Sequence, residues 1–376
     1  MRLLLIPNYY FKFEENVIYT RNTEIAIFEE LEKNGIQLNV FGNIDSKKND
    51  LLKSKFLNTP SKYFSVARNL STPIFKIIGF SIFFFKFIYY TFKNDFVYIY
   101  IPFSYAMIIS PIFLFKKNFG FYIRGEINTI KGIEGYIYRK MIKKSKFNLC
   151  TGQSLTAQMQ LINPNSYEVV PMLSFDTEVR NKILDIPKNE INLLYFTGIN
   201  KNKGVFELLD TADEITTLFP NVNIIIAGSG PDKEMELFYS KYAELRNKDK
   251  IKYLGRLENR THIQKIYSGA HIFLHLSHSE GFPRAVLEAM MMGLVVVSSD
   301  IVAIHGFLQN KKNAMLFEAG NKVQFINCVS DLLNNQELFK RLQIASINSI
   351  ENKRKYYFEH VSHATQIALE LRKLYK

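Results

Sequence analysis

The 376-residue sequence contains no tryptophan, two cysteines, no low-complexity tract and no internal repeat of solenoid period. Each scarcity narrows the reading. Cys150 and Cys328 lie far apart, without the spacing of a metal site or a disulfide framework, which points to a reducing compartment and to two buried thiols. The opening Met1-Arg-Leu-Leu-Leu-Ile-Pro7 has a charge followed by an apolar run too short for a signal peptide, and is expected to be a first strand. Without polar tracts, and at 47% hydrophobic and 22% charged residues, the chain falls among ordered globular proteins. Single cores stop growing at roughly 250 to 300 residues, so two domains are expected.

What the chain has in excess is positive charge, +13 in total. Residues 1–180 hold 23 Lys plus Arg against 14 Asp plus Glu, so +9 of the balance lies in the first half. Such a surface suits an anionic partner: nucleic acid, acidic lipid headgroups or a phosphorylated substrate. A solvated face that aids solubility is the plainer alternative.

Short apolar runs alternate with amphipathic ones throughout, as in βα units on parallel sheets. Strands are expected at Leu3–Ile6, Gln37–Phe41, Phe96–Ile101, Gly120–Ile123, Phe147–Cys150 and Glu168–Val170, with a helix at Thr23–Asn34 stopped by Gly35. A second series has strands at Ile191–Phe196, Val222–Ala227, Lys250–Leu254, His271–Leu276 and Leu294–Val297. Helices are expected between and after these strands, at about Gly204–Leu218, Asp232–Arg246, Arg260–Ser268, Pro283–Met292, Val323–Leu333 and Glu337–Ile347. Pro171–Lys188 lacks periodicity and reads as a linker. The expected division is 1–175, 189–353, and a basic helical segment 354–376 that packs back towards the first domain.

Two basic, aromatic segments stand out in the first half. Pro73–Phe92 is apolar apart from Lys76, Gly79, Ser81, Lys86 and Thr91, and as a helix it shows a basic edge beside a broad aromatic face. Three readings stay open: a membrane span, which Lys86 counts against, an interfacial helix, and a helix buried on a sheet. Lys131–Lys146 interleaves Arg139, Lys140, Lys143, Lys144 and Lys146 with Tyr136, Ile137, Tyr138 and Met141, which fits attraction to anionic lipid. RNA binding ranks lower, because no nucleic-acid motif accompanies these residues.

Ligands of parallel sheets bind beyond the carboxyl ends of the strands. Gly198-Ile-Asn-Lys-Asn-Lys-Gly204 places Lys201 and Lys203 at a helix start, a setting that attracts phosphate. In Gly228-Ser-Gly-Pro231 two glycines allow close approach of backbone, and Leu254-Gly-Arg256 follows the next strand. Ser277-His-Ser-Glu-Gly-Phe-Pro-Arg-Ala-Val-Leu-Glu-Ala-Met290 then presents Glu280 from a loop and Glu288 from a helix, two carboxylates suited to sugar or ribose hydroxyls. Taken singly, each loop is equally an ordinary turn, with Glu280 a cap and Glu288 facing solvent.

Taken together, these stretches resemble the family 4 glycosyltransferases of the GT-B fold. Glu280-Gly-Phe-Pro-Arg-Ala-Val-Leu-Glu288-Ala-Met matches their E-x7-E signature. The likeness continues through Phe196-Thr-Gly198, Lys203-Gly204, Ile226-Ala-Gly-Ser-Gly-Pro231, Tyr253-Leu-Gly-Arg256, Gly293, Val295–Ser298 and Asn313-Ala-Met-Leu-Phe317. The resemblance implies two Rossmann-like α/β domains facing each other across a cleft, and retaining, metal-independent transfer. The nucleotide-sugar donor, UDP- or GDP-linked, is held by the second domain and the glycan acceptor by the first. It implies that Glu280 faces the donor sugar and Glu288 the ribose. Lys203 meets the pyrophosphate, and backbone at Gly198, Gly228, Gly281 and Phe282 approaches sugar and phosphates. Leu254 and Gly255 line the base pocket. No cofactor and no metal are implied, in line with the lack of a convincing Asp-x-Asp pair; His275 and His278 read as structural residues.

The departures matter as much. Ile199 stands where relatives carry an Arg, so Lys201 or Arg284 is expected to supply the second phosphate contact. The N-terminal Gly-Gly loop is replaced by Pro7-Asn-Tyr-Tyr-Phe-Lys-Phe-Glu-Glu15. Arg124-Gly125-Glu126 replaces a His-Gly, so Arg124 is expected at the leaving phosphate or the acceptor. The expected activity is elongation of a lipid-linked glycan for cell-surface polysaccharide, by a cytoplasmic enzyme at the inner face of the plasma membrane and without nucleic acid. The rivals are a GT-B sugar-nucleotide epimerase and a catalytically silent GT-B partner or glycan-binding subunit.

Overall fold

The computed structural model describes residues 1–8, 10–14, 17–20, 22–44, 54–56, 63–67, 73–101, 109–124, 130, 132–169, 187, 189–257, 259–352 and 362–375. The chain divides into one compact unit of Met1–Met172 with His360–Lys376 and another of Leu173–Glu359. Of the expected linker, only Pro187 lies within the described residues.

The first unit is built on strands β1 (Arg2–Ile6), β4 (Gln37–Ile44), β6 (Tyr63–Ala67), β7 (Phe96–Ile101), β8 (Phe119–Ile123), β9 (Phe147–Thr151) and β10 (Ser166–Val169). All pair in parallel, in the order β10-β9-β8-β7-β1-β4-β6. Every residue of β7, β8 and β9 is buried because helices cover both faces, so β7 and β8 read as apolar runs, while β9 also buries Asn148 and Thr151. On one face lie α1 (Asn22–Lys33), ended by Gly35 at φ +77°, and the C-terminal α11 (His363–Leu374), both packed on Leu3, Leu5, Tyr98 and Tyr100. Ser362 caps α11, accepting from the Thr365 N–H at 3.1 Å, and the hydroxyls of Ser362 and Thr365 both donate to Glu30 of α1. On the other face lie α2 (Pro73–Lys93), a 3-10 turn at Ser110–Leu114, α3 (Gly132–Lys144) and α4 (Gln153–Gln160).

The edge of this sheet differs from expectation. Tyr10–Glu14 (β2) and Val17–Thr20 (β3) form an antiparallel pair, with β2 parallel to β4 and β3 against Ser54–Phe56 (β5), none of them among the expected strands. The alternation there is short and aromatic-polar, and only pairing with the edge of a preformed sheet makes it a strand.

The second unit is a six-stranded parallel sheet: β11 (Ile191–Phe196), β12 (Val222–Ala227), β13 (Ile251–Tyr253), β14 (Ile272–His275), β15 (Val295–Ser299) and β16 (Met315–Phe317). The order is β13-β12-β11-β14-β15-β16, so the direction of winding reverses between β11 and β14, where Leu193 and Leu194 pair with Ile272 and Phe273. A crevice opens at such a reversal, beyond the carboxyl ends of the two strands. Helices α5 (Val205–Leu218), α6 (Asp232–Glu244), α9 (Lys322–Asn334) and the start of α10 (Gln336–Asn352) bury one face of the sheet. Helices α7 (Arg260–Ser268) and α8 (Arg284–Met291) and later residues of α10 bury the other.

Candidate active site

Two loops meet at that reversal: Thr197–Gly204 after β11 and Leu276–Pro283 after β14. Asn200 accepts from the Lys203 N–H at 3.1 Å, fixing a 3-10 turn over Lys201–Lys203. Gly204 then takes φ +72°, and a Cβ there would sit 2.2 Å from the Leu276 carbonyl oxygen, so only glycine lets the loops touch. The His278 N–H donates to the Asn202 carbonyl at 2.9 Å, and the Asn202 side chain donates to Ser279. This lacing holds Lys203 against Glu280, residues 77 positions apart.

Three side chains converge on one oxygen of Glu280. Lys203 Nζ and Ser277 Oγ, the latter at 3.0 Å, donate to Oε1, and His275 Nε2 faces the same atom at 3.5 Å. Among the described residues Oε2 has no partner. Burial alone would raise the Glu280 pKa, but the adjacent His275 and the Lys203 ammonium bring it down to about 2. His275, itself buried, is held from behind by Ser298 Oγ at 2.8 Å from Nδ1. Tyr195 donates to the Lys203 carbonyl at 2.9 Å; burial, with Glu280 and Glu207 nearby, pushes its phenol well up.

A cavity of about 260 Å³ opens here, lined by Gly198, Lys203, His275, Glu280, Arg284 and Glu288 among others. Glu288 is 2% exposed and accepts from the Tyr267 hydroxyl at 3.3 Å, so it is not a solvent-facing helix residue. Helix α8 starts at Arg284, at the cavity wall, so its dipole favours an anion there.

The remaining expected residues lie around or away from this cavity. Lys201 is exposed and outside the lining, whereas Arg284 is in it. Gly281 also lies outside the lining, between Glu280 and Phe282, which are in it. Gly228 and Gly230 serve loop packing: a Cβ would lie 1.9 Å from the Thr197 oxygen and 1.7 Å from the Ile199 oxygen. Gly255 accepts from the Gly228 N–H at 2.8 Å, so the turn after β13, with Leu254 40% exposed, adjoins the turn after β12. Arg124 belongs to the first unit, at the end of β8, with Glu24 at 3.8 Å and its guanidinium over Tyr122. Gly125 and Glu126 lie outside the described residues. His278 pairs with Glu207 at 2.9 Å, and no cluster that could hold a metal occurs among the described residues.

Ser277 and Tyr267 were not among the expected site residues, and His275, read as structural, ends the otherwise apolar β14 where an unpaired imidazole is costly.

The two parallel-sheet α/β units have the GT-B fold, and the second carries the E-x7-E loop at its winding reversal. Residues 176–349, nearly all of the second unit, match the family described as Glycosyl transferases group 1. An uncharacterised glycosyltransferase of Haemophilus influenzae is 25% identical over 164 residues, 42% of this chain and 45% of that protein. A GDP-mannose:cellobiosyl-diphosphopolyprenol alpha-mannosyltransferase of Xanthomonas campestris is 33% identical over 109 residues, 29% of this chain and 28% of its own. The chain therefore spans less than half the length of these relatives. The crystal structure of HepE from Anabaena in complex with UDP superposes with a TM-score of 0.67 at 12% identity, covering 100% of this chain and 99% of that one, which shows the GT-B fold.

Proposed function

We propose that the protein is a retaining, metal-independent glycosyltransferase that moves a sugar from a nucleotide sugar to a hydroxyl of a glycan acceptor. The observation that carries this reading is the convergence of Lys203, Ser277 and His275 on one oxygen of Glu280, which leaves the other turned free for a ligand in a cavity shared with Glu288. Oε2 accepts donor sugar hydroxyls, and the buried Glu288 carboxylate accepts ribose hydroxyls. Lys203 and Arg284, with the dipole of α8, meet the diphosphate. At about 260 Å³ the cavity is smaller than the roughly 300–1,000 Å³ of sites for a whole drug-sized ligand, so it suits the sugar and phosphates, with the base reaching towards Leu254 and Gly255.

In the reaction, the acceptor oxygen forms a bond to the anomeric carbon from the face the leaving group departs. The anomeric C–O bond to phosphate breaks, and the acceptor proton passes to a leaving phosphate oxygen. Lys203 stabilises the charge that develops on the diphosphate, a preorganised term worth about 3 kcal/mol in comparable sites. Arg124 in the first unit is assigned to the acceptor or the leaving phosphate. The diphosphopolyprenol substrate in the name of the Xanthomonas relative supports a lipid-linked acceptor, hence polysaccharide assembly at the cytoplasmic face of the membrane. Thermal shift across UDP-, GDP- and ADP-sugars tests the donor assignment. One nucleotide class should stabilise the wild type and fail to stabilise Glu288→Ala; stabilisation by none would refute it.

A further inference from the structure

The first unit carries a second cavity, remote in sequence from the E-x7-E loop. It measures about 200 Å³, has an apolar floor of Pro111, Phe113, Phe119 and Met141, and carries Lys140 and Lys144 on its wall. The two lysines lie one helical turn apart on α3, so both ammonium groups reach the same mouth.

The surface around this cavity is apolar beyond what a soluble face requires. Ile82, Phe85, Tyr89 and Phe92, at helical spacing along α2, are 48% to 70% exposed, while Phe87 on the opposite side of the helix is fully buried. Phe87 packs edge-on against Phe113 at 6.5 Å, which sets α2 beside the Ser110–Leu114 turn. That turn and its successor expose Leu114 and Phe115 at 63% and 76%, and α3 adds Ile133 and Tyr136 at 73% and 55%. All three elements cover the same face of the sheet, so these exposed side chains lie on one side of the unit, more of them than the single apolar residues normal on a soluble surface.

Charge decides what covers it. Lys86, Lys93, Lys117, Lys140, Lys143 and Lys144 are exposed on these elements, against one carboxylate, Glu134. Two of the lysines lie over exposed rings, Lys93 over Tyr89 at 5.4 Å and Lys140 over Tyr136 at 4.9 Å, so cation and aromatic are presented together. A second copy of this chain on the patch would set lysines against lysines, which disfavours a symmetric protein contact. Among the described residues no helix is long and apolar enough to cross a membrane. Aromatic rings with flanking lysines are the chemistry of the boundary between acyl chains and anionic headgroups.

We infer that the face formed by α2, the Ser110–Leu114 turn and α3 seats on an anionic bilayer. One acyl chain of an anionic phospholipid enters the cavity, with its phosphate held by Lys140 and Lys144. This deepens the membrane side of the proposed function, but it stands on the first unit alone and needs no donor. The test is flotation of the full chain with vesicles of phosphatidylcholine, with and without phosphatidylglycerol. Wild type should float only with the anionic vesicles and sink as salt rises. Phe85→Ser/Tyr89→Ser/Phe92→Ser and Lys140→Glu/Lys144→Glu should each lose more than tenfold in partitioning, since each lysine near such a surface is worth about fivefold. Both should keep the donor-induced thermal shift of wild type, which separates loss of docking from loss of fold. Wild type that sinks with anionic vesicles, or variants that float equally well, would overturn the inference. So would a wild-type dimer that the triple aromatic variant dissociates. Donor binding that fails while flotation succeeds would sink the transferase reading and leave this one intact.

Discussion

Lys203→Met offers the most informative perturbation of the donor site. In the wild type, the Glu280 carboxyl titrates at about 2 instead of its ordinary 4.5, although it is largely buried. A folded-state pKa below the unfolded one contributes stability that is fully present above the unfolded value and is lost as pH falls through the folded one. For Glu280 that contribution is about 3 kcal/mol at neutral pH, disappearing between about pH 5 and 2. Removing the Lys203 ammonium leaves Oε1 with Ser277 and His275 and leaves a buried carboxylate undercompensated. A cost of about 1–3 kcal/mol at pH 7 is expected, seen as a Tm lower by roughly 2–4 °C per kcal/mol for a unit of this size. Because the Glu280 pKa then rises, the deficit should shrink as the buffer is taken from pH 7 to 3. Turnover should fall on the order of 100-fold or more, as one stabilising donor to the leaving group is gone. Scanning fluorimetry across pH, with single-turnover transfer at pH 7, reads both. A variant whose Tm follows the wild type at every pH would refute the pairing, and unchanged turnover would refute its role at the diphosphate.

Other outcomes follow from the same geometry. Arg284→Ala should weaken donor binding by about tenfold in calorimetry while Lys201→Ala leaves it unchanged, since only Arg284 lines the cavity; the reverse pattern would assign the phosphate contact to Lys201. Gly230→Ala places a Cβ 1.7 Å from the Ile199 carbonyl oxygen and should lower stability by about 2 kcal/mol or more in urea unfolding; an unaffected midpoint would mean that the two loops part freely. Burial, and to a lesser extent Arg124, hold His363 neutral, with its pKa lowered from 6.5 to about 3. Stability should therefore fall by about 2 kcal/mol between pH 6.5 and 5 as the unfolded chain takes up the proton. His363→Leu should be less acid-sensitive over that interval, and an identical pH profile would contradict the burial argument.

The GT-B class was legible because its signals are local: apolar strands, amphipathic helices, and the order of Gly198, Gly228, Gly255 and the E-x7-E loop between them. What pairs those loops was not. Lys203 and Glu280 are 77 residues apart, and only the winding reversal between β11 and β14 brings them together. The Lys203 ammonium, read from the sequence as a phosphate ligand, is in the structure a partner of the glutamate. His275 was set aside as structural, since a histidine at a strand end gives no hint of what it will face. The glycines of Gly228-Ser-Gly-Pro231 read either as room for a ligand or as an ordinary turn; that both clear the neighbouring Thr197–Ile199 backbone is visible only in the fold. Alternation over Tyr10–Thr20 was too short to distinguish an edge strand from a loop.

Transfer itself is the decisive reaction to follow. The chain is incubated with the nucleotide sugar that stabilises it and a diphosphopolyprenol-linked glycan, and the anomeric configuration of the product is read by NMR. Wild type should form a glycosylated product that keeps the donor's anomeric configuration, and Glu280→Ala, in which the donor still binds, should form none. An inverted product, or turnover in Glu280→Ala close to that of wild type, would contradict that expectation.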